Sequence, residues 1–251
     1  MAMKHLELSY EGDTIRVTFS TGEEGNVMTH SFMREMTDFL ESLKYDRKSR
    51  FVVIRGRGDF GLGPDVRELY AGLRSRQQIE RYLALMKAMY ITLLDVTKIT
   101  VSVLDGMACD SSLELALLTD IVVADKGAKL CIRWGSMGLL PPVLLALSGR
   151  IVEARAVKRL AILGEELKAE EAKELGLIYD YGNVEELVNR IINQVRQSAP
   201  TALSRMKRFL YINLQDTINR GFDLLMDQLS SPQAAEGIMS LIYKTKPEWK
   251  S

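Results

Sequence analysis

Two stretches, FGLGPDVREL (60–69) and DGMACDSSLELALLTDIVVAD (105–125), decide the fold of this chain. Each follows a continuous apolar run, FVVIRG (51–56) or ITVSVL (99–104), and each leads into a helical pattern. Continuous apolar runs are typical of strands that are buried on both faces of a sheet. The two stretches therefore predict strand-to-helix junctions, the places where open α/β sheets bind their ligands.

The flanking sequence alternates between strand and helix patterns in the same way. Further strands are predicted at 5–11, 14–20, 121–125 and 128–135. Helices are predicted at 28–43, from residue 66, at 76–95, at 111–120 and over most of the chain after Pro141. Strands that alternate with helices imply an α/β fold with a mostly parallel sheet. The pattern divides the chain into a core over residues 1–195 and a C-terminal helical region over residues 196–251, whose apolar faces must pack on the core or on another subunit.

The composition excludes several classes of function. Lys plus Arg and Asp plus Glu number 33 each, so no net charge recruits nucleic acid or an acidic membrane. The start lacks a signal sequence, and no apolar stretch is long enough for a membrane span. With no CxxC pair, Cys109 and Cys131 are interpreted as free thiols in a reducing cytoplasm. His5 and His30 lie far from any candidate nucleophile, so neither a Ser-His-Asp site nor a metal site is predicted.

The two predicted junctions are suited to binding an oxyanion. The N-terminus of a helix offers unpaired N–H groups and the positive end of the helix dipole. One backbone N–H from each junction would therefore stabilise a developing enolate or a tetrahedral oxyanion. The alternative is a pair of tight turns, in which glycines adopt positive φ and no ligand binds.

Six segments occur in a fixed order along the chain. They are FGLGPD (60–65), GMACDSSLEL (106–115), DIVVA (120–124), GLLP (138–141), residues 165–177 and residues 236–247. This ordered set resembles the enoyl-CoA hydratase/isomerase (crotonase) superfamily. The resemblance implies a crotonase-like (ββα) spiral core with a C-terminal helical trimerisation region, assembled as a homotrimer or homohexamer. It also implies an acyl-CoA substrate, with coenzyme A as part of that substrate and no prosthetic group.

The resemblance assigns the two oxyanion donors of the family to the residues at positions 64 and 111. Ser111 keeps its backbone N–H, but Pro64 has none. The N–H of Gly63 in a shifted loop is an expected substitute. Leu62, Gly63, Pro64 and Asp65 are expected to contact the substrate here, and Asp65 is also expected to cap the helix that follows.

The resemblance also implies the acid/base residues. Of the two glutamates that family hydratases use, the first falls on Glu114 and the second on Trp134, which can only wall a bulky or cyclic acyl pocket or donate its indole N–H. Ser111 and Glu114 also match a capping box, S-x-x-E, as an alternative. Asp110 replaces a glycine of the family motif and is either an N-cap or a second catalytic carboxylate one turn before Glu114.

Two basic residues match family positions near coenzyme A. Arg67 lies two residues after Asp65, and Lys244 matches a tail lysine that can reach a neighbouring subunit's ligand. The alternative for both is an ordinary solvated helix face.

The leading hypothesis is an acyl-CoA enzyme of hydratase or isomerase type in the cytoplasm. It would use Glu114 as acid/base and the Ser111 N–H as oxyanion donor. Two alternatives remain: a CoA-thioester hydrolase, C–C lyase or decarboxylase, and a non-catalytic acyl-CoA-binding paralogue.

Overall fold

A computed structural model of the protein describes residues 3–22 and 25–249. Its strands are β1 (Leu6–Glu11), β2 (Thr14–Phe19), β3 (Phe51–Gly56), β4 (Ile99–Leu104), β5 (Met107–Cys109), β6 (Ile121–Ala124), β7 (Lys129–Cys131), β8 (Leu167–Lys168) and β9 (Asp180–Tyr181).

The helices alternate with these strands and then continue alone. They are α1 (His30–Ser42), α2 (Val66–Gly72), α3 (Arg76–Asp95), α4 (Asp110–Leu117), α5 (Pro142–Leu147), α6 (Ala154–Val157), α7 (Ala169–Glu174), α8 (Val184–Val195), α9 (Pro200–Leu210), α10 (Leu214–Leu229) and α11 (Pro232–Tyr243). A 3₁₀ turn over Trp134–Met137 follows β7, and a π turn over Lys158–Ile162 follows α6.

The main sheet has six strands in the order β1-β2-β3-β4-β6-β9. Only the β1–β2 pair is antiparallel among its neighbours, so the predicted mostly parallel sheet is confirmed. A second sheet, β5-β7-β8, was not predicted. Strand β7 lies within the strand predicted at 128–135, but β5 and β8 are only three and two residues long, too short for a recognisable hydrophobic period.

Strand β3 shows why the apolar runs are continuous. Val52 and Ile54 lie in the main hydrophobic core, whereas Phe51 and Val53 lie in a second core cluster on the other face of the sheet. Helix α8 covers this second face. Both faces are therefore buried over residues 51–54, which are all apolar.

The C-terminal helices contribute to the main core. Helix α10 packs against α5 and α3, and it buries Ile218, Phe222 and Leu225. Helix α9 leaves a row of apolar side chains largely exposed: Met206, Phe209 and Leu210, continued by Ile212 beyond its end. The boundary between residues 195 and 196 stays a prediction. None of the helices in residues 3–22 and 25–249 is long and apolar enough to cross a membrane.

The prediction of free thiols is wrong. Cys109 and Cys131 form a disulfide with an S–S distance of 2.10 Å. The two cysteines are 22 residues apart in sequence, but they occupy paired positions in the parallel strands β5 and β7. Because the pairing of these short strands could not be predicted, neither could the contact between the cysteines.

Candidate active site

The first junction, residues 60–65, has no N–H group left over for a ligand between Gly61 and Asp65. The N–H groups of Gly61, Leu62, Gly63 and Asp65 donate to Met107 O (3.0 Å), Asn26 O (2.7 Å), Ser112 Oγ (3.2 Å) and Tyr82 Oη (2.8 Å), respectively. Pro64 has no N–H to donate. The Gly63 N–H, the expected substitute donor, is therefore already engaged by the protein.

Gly63 brings this loop against the second junction. It has a φ of +107°, and a Cβ added to it would lie 2.8 Å from the Cβ of Asp110. Only glycine tolerates both the positive φ and this close approach. The two predicted junctions thus meet at Gly63 and Asp110.

The second junction begins helix α4 at Asp110, which has a φ of +50°. Asp110 therefore adopts the left-handed conformation that suits the glycine of the family motif, and aspartate tolerates this conformation better than most residues do. Ser111 lies in the first turn, where backbone N–H groups have no partner within the helix. The N-cap residue, Cys109, makes no side-chain cap bond to these groups.

Asp110 does not cap α4; it pairs with Arg133. The Asp110 carboxylate accepts the backbone N–H of Arg133, and its Oδ2 lies 3.3 Å from Arg133 Nε. Burial raises the pKa of Asp110, and the Arg133 guanidinium opposes this shift. Arg133 Nη2 also donates to Leu62 O at 2.8 Å, so Arg133 links the two junctions.

Arg133 was missed by the sequence reasoning. Arg133 matches none of the family motif positions identified in the sequence, and it is 23 residues from Asp110 in sequence. The only available signal was a charged residue directly before Trp134, which by itself indicates nothing about a partner.

Glu114 is fully buried one turn further along α4. Its Oε1 accepts the backbone N–H groups of Val143 (2.7 Å) and Leu144 (2.8 Å), so it caps helix α5 rather than its own helix. The capping-box interpretation is therefore wrong. Burial raises the pKa of Glu114 from 4.5 to about 8, and the bonds from Leu144 and Val143 oppose the shift.

Trp134 lies in the core beside Glu114. Its indole N–H faces the carboxyl closely enough to lower the pKa of Glu114 slightly, although the contact lacks the geometry of a regular hydrogen bond. Within the part of the chain that the structure describes, Trp134 Nε1, Glu114 Oε2 and Ser111 Oγ are all buried without a hydrogen-bond partner. Buried polar atoms are nearly always bonded, so each of these three atoms is suited to a partner such as a substrate atom or a water.

A cavity of about 400 Å³ includes in its lining Asp110 and Arg133, the residues directly before Ser111 and Trp134. It is lined by Val27, Leu62, Pro64, Asp65, Val66, Arg67, Asp110, Arg133, Ser136, Met137, Leu241 and Ile242. The cavity thus brings together five predicted residues: Leu62, Pro64, Asp65, Arg67 and Asp110. Glu114, Ser111 and Trp134 lie deeper in the protein, fully buried. A larger depression of about 690 Å³ around Arg205 and Asp216 contains none of the predicted residues.

Three predicted residues lie at the rim of the cavity or near it. Asp65 caps α2 by accepting the N–H of Arg67 at 3.0 Å, which confirms the predicted cap. The Arg67 side chain is 84% exposed, so it is available to a ligand. Lys244 is exposed just beyond α11, two residues after Ile242.

Comparison with known proteins gives one consistent family. The enoyl-CoA hydratase/isomerase profile matches residues 10–251. The chain is 24% identical over 260 residues to carnitinyl-CoA dehydratase of Proteus mirabilis, with 98% of both chains covered. It is 26% identical over 188 residues to the mitochondrial methylglutaconyl-CoA hydratase of Homo sapiens, which covers 71% of this chain and 52% of that protein.

Solved structures show the same fold at lower identity. An enoyl-CoA hydratase from Mycobacterium avium subsp. paratuberculosis K-10 superposes with a TM-score of 0.83 at 20% identity, with 100% of both chains covered. A methylmalonyl-CoA decarboxylase in complex with 2-nitronate-propionyl-CoA gives a TM-score of 0.82 at 19% identity, also over 100% of both chains. The predicted crotonase-like α/β fold is confirmed. Because the family profile spans nearly the whole chain, the chain belongs to the enoyl-CoA hydratase/isomerase family.

Proposed function

We propose that the protein moves a double bond within an acyl-CoA thioester, with Glu114 as the single proton carrier. The observation that supports this reaction is the environment of Glu114, a fully buried carboxyl whose Oε2 has no partner among the described residues. The position of a second glutamate is occupied by Trp134, which cannot transfer a proton at neutral pH. Hydration by the family's route needs two carboxyl groups, one to activate a water and one to protonate the substrate carbon. Isomerisation needs only one group, which moves a proton between two carbons.

The proposed step conserves all atoms. The Glu114 carboxylate removes a proton from the α-carbon, which lies between the thioester and the 3,4 double bond, and the electron pair is delocalised onto the thioester oxygen as a dienolate. Glu114 then returns the proton to a different carbon as the carbonyl re-forms. A proton carrier must both accept and release a proton, so a pKa of about 8 suits a reaction near neutral pH.

The substrate would enter through the 400 Å³ cavity. Ser111 N–H, at the positive end of α4, would stabilise the oxyanion, and Arg67 and Lys244 would contact the phosphates of coenzyme A. A bulky or cyclic acyl group against Trp134 stays part of the proposal. Asp110 has a different role from the predicted second acid/base, because its pairing with Arg133 favours a charged, fixed carboxylate.

We also propose that the protein assembles as a homotrimer or a pair of trimers. The apolar row of α9 supports this, since Phe209 is 75% and Leu210 is 72% exposed in the single chain. Adjacent exposed apolar side chains of this size mark interaction surfaces. Phe209→Ser is expected to shift the sedimentation coefficient towards that of the monomer, whereas Tyr10→Ser, at another exposed aromatic residue, leaves it unchanged. Identical sedimentation of wild type and Phe209→Ser would exclude this surface.

The proposed reaction is tested with a panel of 3-enoyl-CoA thioesters. Formation of the conjugated 2-enoyl product is followed by its absorbance, and the product mass is measured. Glu114→Gln is expected to lower turnover by about 10²–10⁴-fold, the usual contribution of a general acid/base. The control Glu170→Gln, on the exposed surface of α7, leaves turnover unchanged.

Other outcomes would replace the proposal. Full turnover by Glu114→Gln removes Glu114 from the mechanism, and a product that gains the mass of water indicates hydration. Fragmentation of the substrate indicates a hydrolase, lyase or decarboxylase. Tight binding without turnover across the panel indicates a non-catalytic acyl-CoA-binding protein.

A further inference from the structure

We propose that Arg133 is a catalytic residue that stabilises the thioester oxyanion in place of the backbone N–H that is lost at Pro64. The proposal rests on the proposed function only in that a thioester carbonyl binds where the two junctions meet. It assigns to a side-chain cation the role that a second backbone N–H would otherwise have.

The first step is the missing donor. Gly63 O accepts the N–H of Met28, and Asp65 N–H donates to Tyr82 Oη, which itself donates to Met28 O. Position 64 is also bridged to Met28. Pro64 lines the cavity, and its nitrogen carries no hydrogen, so this position offers no backbone donor to a ligand there.

The second step is the position of Arg133. Its guanidinium lies on the same cavity wall as Pro64 and is held by Leu62 O, two residues before Pro64, and by Asp110 Oδ2, one residue before Ser111. In the proposed arrangement, a thioester oxygen that accepts the Ser111 N–H lies within reach of this guanidinium, because the guanidinium is held by Asp110, the residue directly before Ser111.

The third step is the capacity of Arg133 to bind a further group. Within residues 3–22 and 25–249, contacts to Asp110 and Leu62 engage two of its N–H groups, and a guanidinium has five. The side chain is 48% exposed, so a ligand that enters the cavity can reach it. A fixed cation aimed at a developing negative charge is an established way to lower a reaction barrier.

The fourth step concerns the charge of Asp110. A carboxylate next to an oxyanion opposes its formation by repulsion. Arg133 neutralises this carboxylate, and the carboxylate in turn fixes the guanidinium against Leu62. Asp110 is thus a positioning residue for Arg133, which explains why a charged residue is tolerated where the family motif has glycine.

The experiment measures carbonyl polarisation directly, without turnover. The probe is a cinnamoyl-CoA thioester with a para-dimethylamino group, whose absorption moves to longer wavelength when the thioester carbonyl is polarised. Binding to the wild-type protein is expected to produce this red shift. Arg133→Met is expected to lose most of the shift, to lower turnover of the 3-enoyl-CoA substrate by about 10²–10³-fold, and to change the Kd of the probe by less than about tenfold. Arg155→Met, at an exposed arginine on α6, is the matched control.

Rescue separates catalysis from a structural role. Pro64→Ala restores an N–H at the position of the missing donor. If Arg133 replaces that donor, Pro64→Ala in the Arg133→Met background recovers at least tenfold in turnover and part of the red shift. Arg133→Lys retains an intermediate red shift, because it keeps the charge but not the planar fork.

Three results would overturn the proposal. They are absence of a red shift in the wild type, an undiminished red shift in Arg133→Met, and failure of Pro64→Ala to rescue a folded Arg133→Met variant. A wild-type protein that shifts the probe spectrum through Arg133 but converts no 3-enoyl-CoA would overturn the proposed isomerisation and leave the role of Arg133 intact.

Discussion

Helix α4 has an aspartate near each end, buried Asp110 and half-buried Asp120, and each aspartate pairs with a different kind of cation. At the N-terminal end, Asp110 Oδ2 lies 3.3 Å from Arg133 Nε, and the Arg133 side chain is 48% exposed. Beyond the C-terminal end, Asp120 Oδ2 lies 2.7 Å from Lys207 Nζ, and the Lys207 side chain is only 5% exposed. The same kind of ion pair therefore occurs once with a half-exposed cation and once with a buried cation.

The surroundings of the two cations show what the difference means. Lys207 Nζ also donates to Lys98 O (2.9 Å), and Asp120 Oδ1 accepts a bond from Tyr211 Oη (3.1 Å). Both members of this pair therefore have further hydrogen-bond partners within the protein, and the pair links α9 to the start of the sheet strands. Arg133 keeps N–H groups that can bind a ligand. A buried, saturated pair serves the fold, whereas a half-exposed, unsaturated pair at a cavity is available for chemistry.

The largest expected effect comes from Glu114, which lies between the two pairs and forms no ion pair with a cation in the part of the chain that the structure describes. Its pKa is about 8 in the folded protein against an ordinary 4.5, so the folded state holds a proton that the unfolded chain releases. Glu114 therefore destabilises the protein progressively as the pH rises from about 4.5 to 8. At about 1.4 kcal/mol per pKa unit, the total is about 5 kcal/mol.

Urea denaturation of the wild type and Glu114→Gln at pH 5, 7 and 9 tests this. Glutamine keeps an oxygen for the Val143 and Leu144 N–H groups but does not titrate, so its stability relative to wild type is expected to increase from pH 5 to pH 9. A stability difference that is independent of pH would show that Glu114 is not protonated in the folded state.

The next largest effect on stability is expected from loss of the Asp120–Lys207 ion pair. Lys207→Met leaves the Asp120 carboxylate buried and without its cation, and is expected to lower the free energy of unfolding by about 3–5 kcal/mol. Arg208→Met, the neighbouring exposed residue of α9, is the control and is expected to change it by less than about 0.5 kcal/mol. Equal stabilities of the two variants would remove the structural role assigned to Lys207.

The smallest effect on stability is expected at Arg133. Arg133→Met removes a half-exposed partner, while Asp110 keeps the backbone N–H of residue 133, so the expected loss is about 1–2 kcal/mol in urea denaturation. The comparison predicts that Lys207→Met lowers the free energy of unfolding more than Arg133→Met does. It also predicts that Arg133→Met reduces carbonyl polarisation more than Lys207→Met does. If Arg133→Met destabilised the protein as much as Lys207→Met, the two pairs would both be structural.

Much of the fold followed from local sequence. The spacing predicted strand β3 and helices α2 and α3 at the residues where they occur, because long apolar runs and capping residues act locally. Strands β5 and β8 and the disulfide were missed, because two or three residues carry no measurable period.

The candidate site was only partly predictable. Leu62, Pro64, Asp65, Arg67 and Asp110 were expected to gather, and they share one cavity. The partners of Asp110 and Glu114 were not predicted, because each lies more than 20 residues away in sequence, on an element whose approach to α4 depends on packing.

The sequence by itself determined the α/β architecture, the two junctions and the absence of an N–H at Pro64, since these depend on hydrophobic period and on the covalent structure of proline. Only the tertiary structure decided how the surroundings of the two carboxyls of α4 differ. Asp110 and Glu114 are similar acids one turn apart on the same helix. Their difference arises from what the fold brings to each: the Arg133 cation to Asp110, and to Glu114 complete burial and two N–H groups of α5.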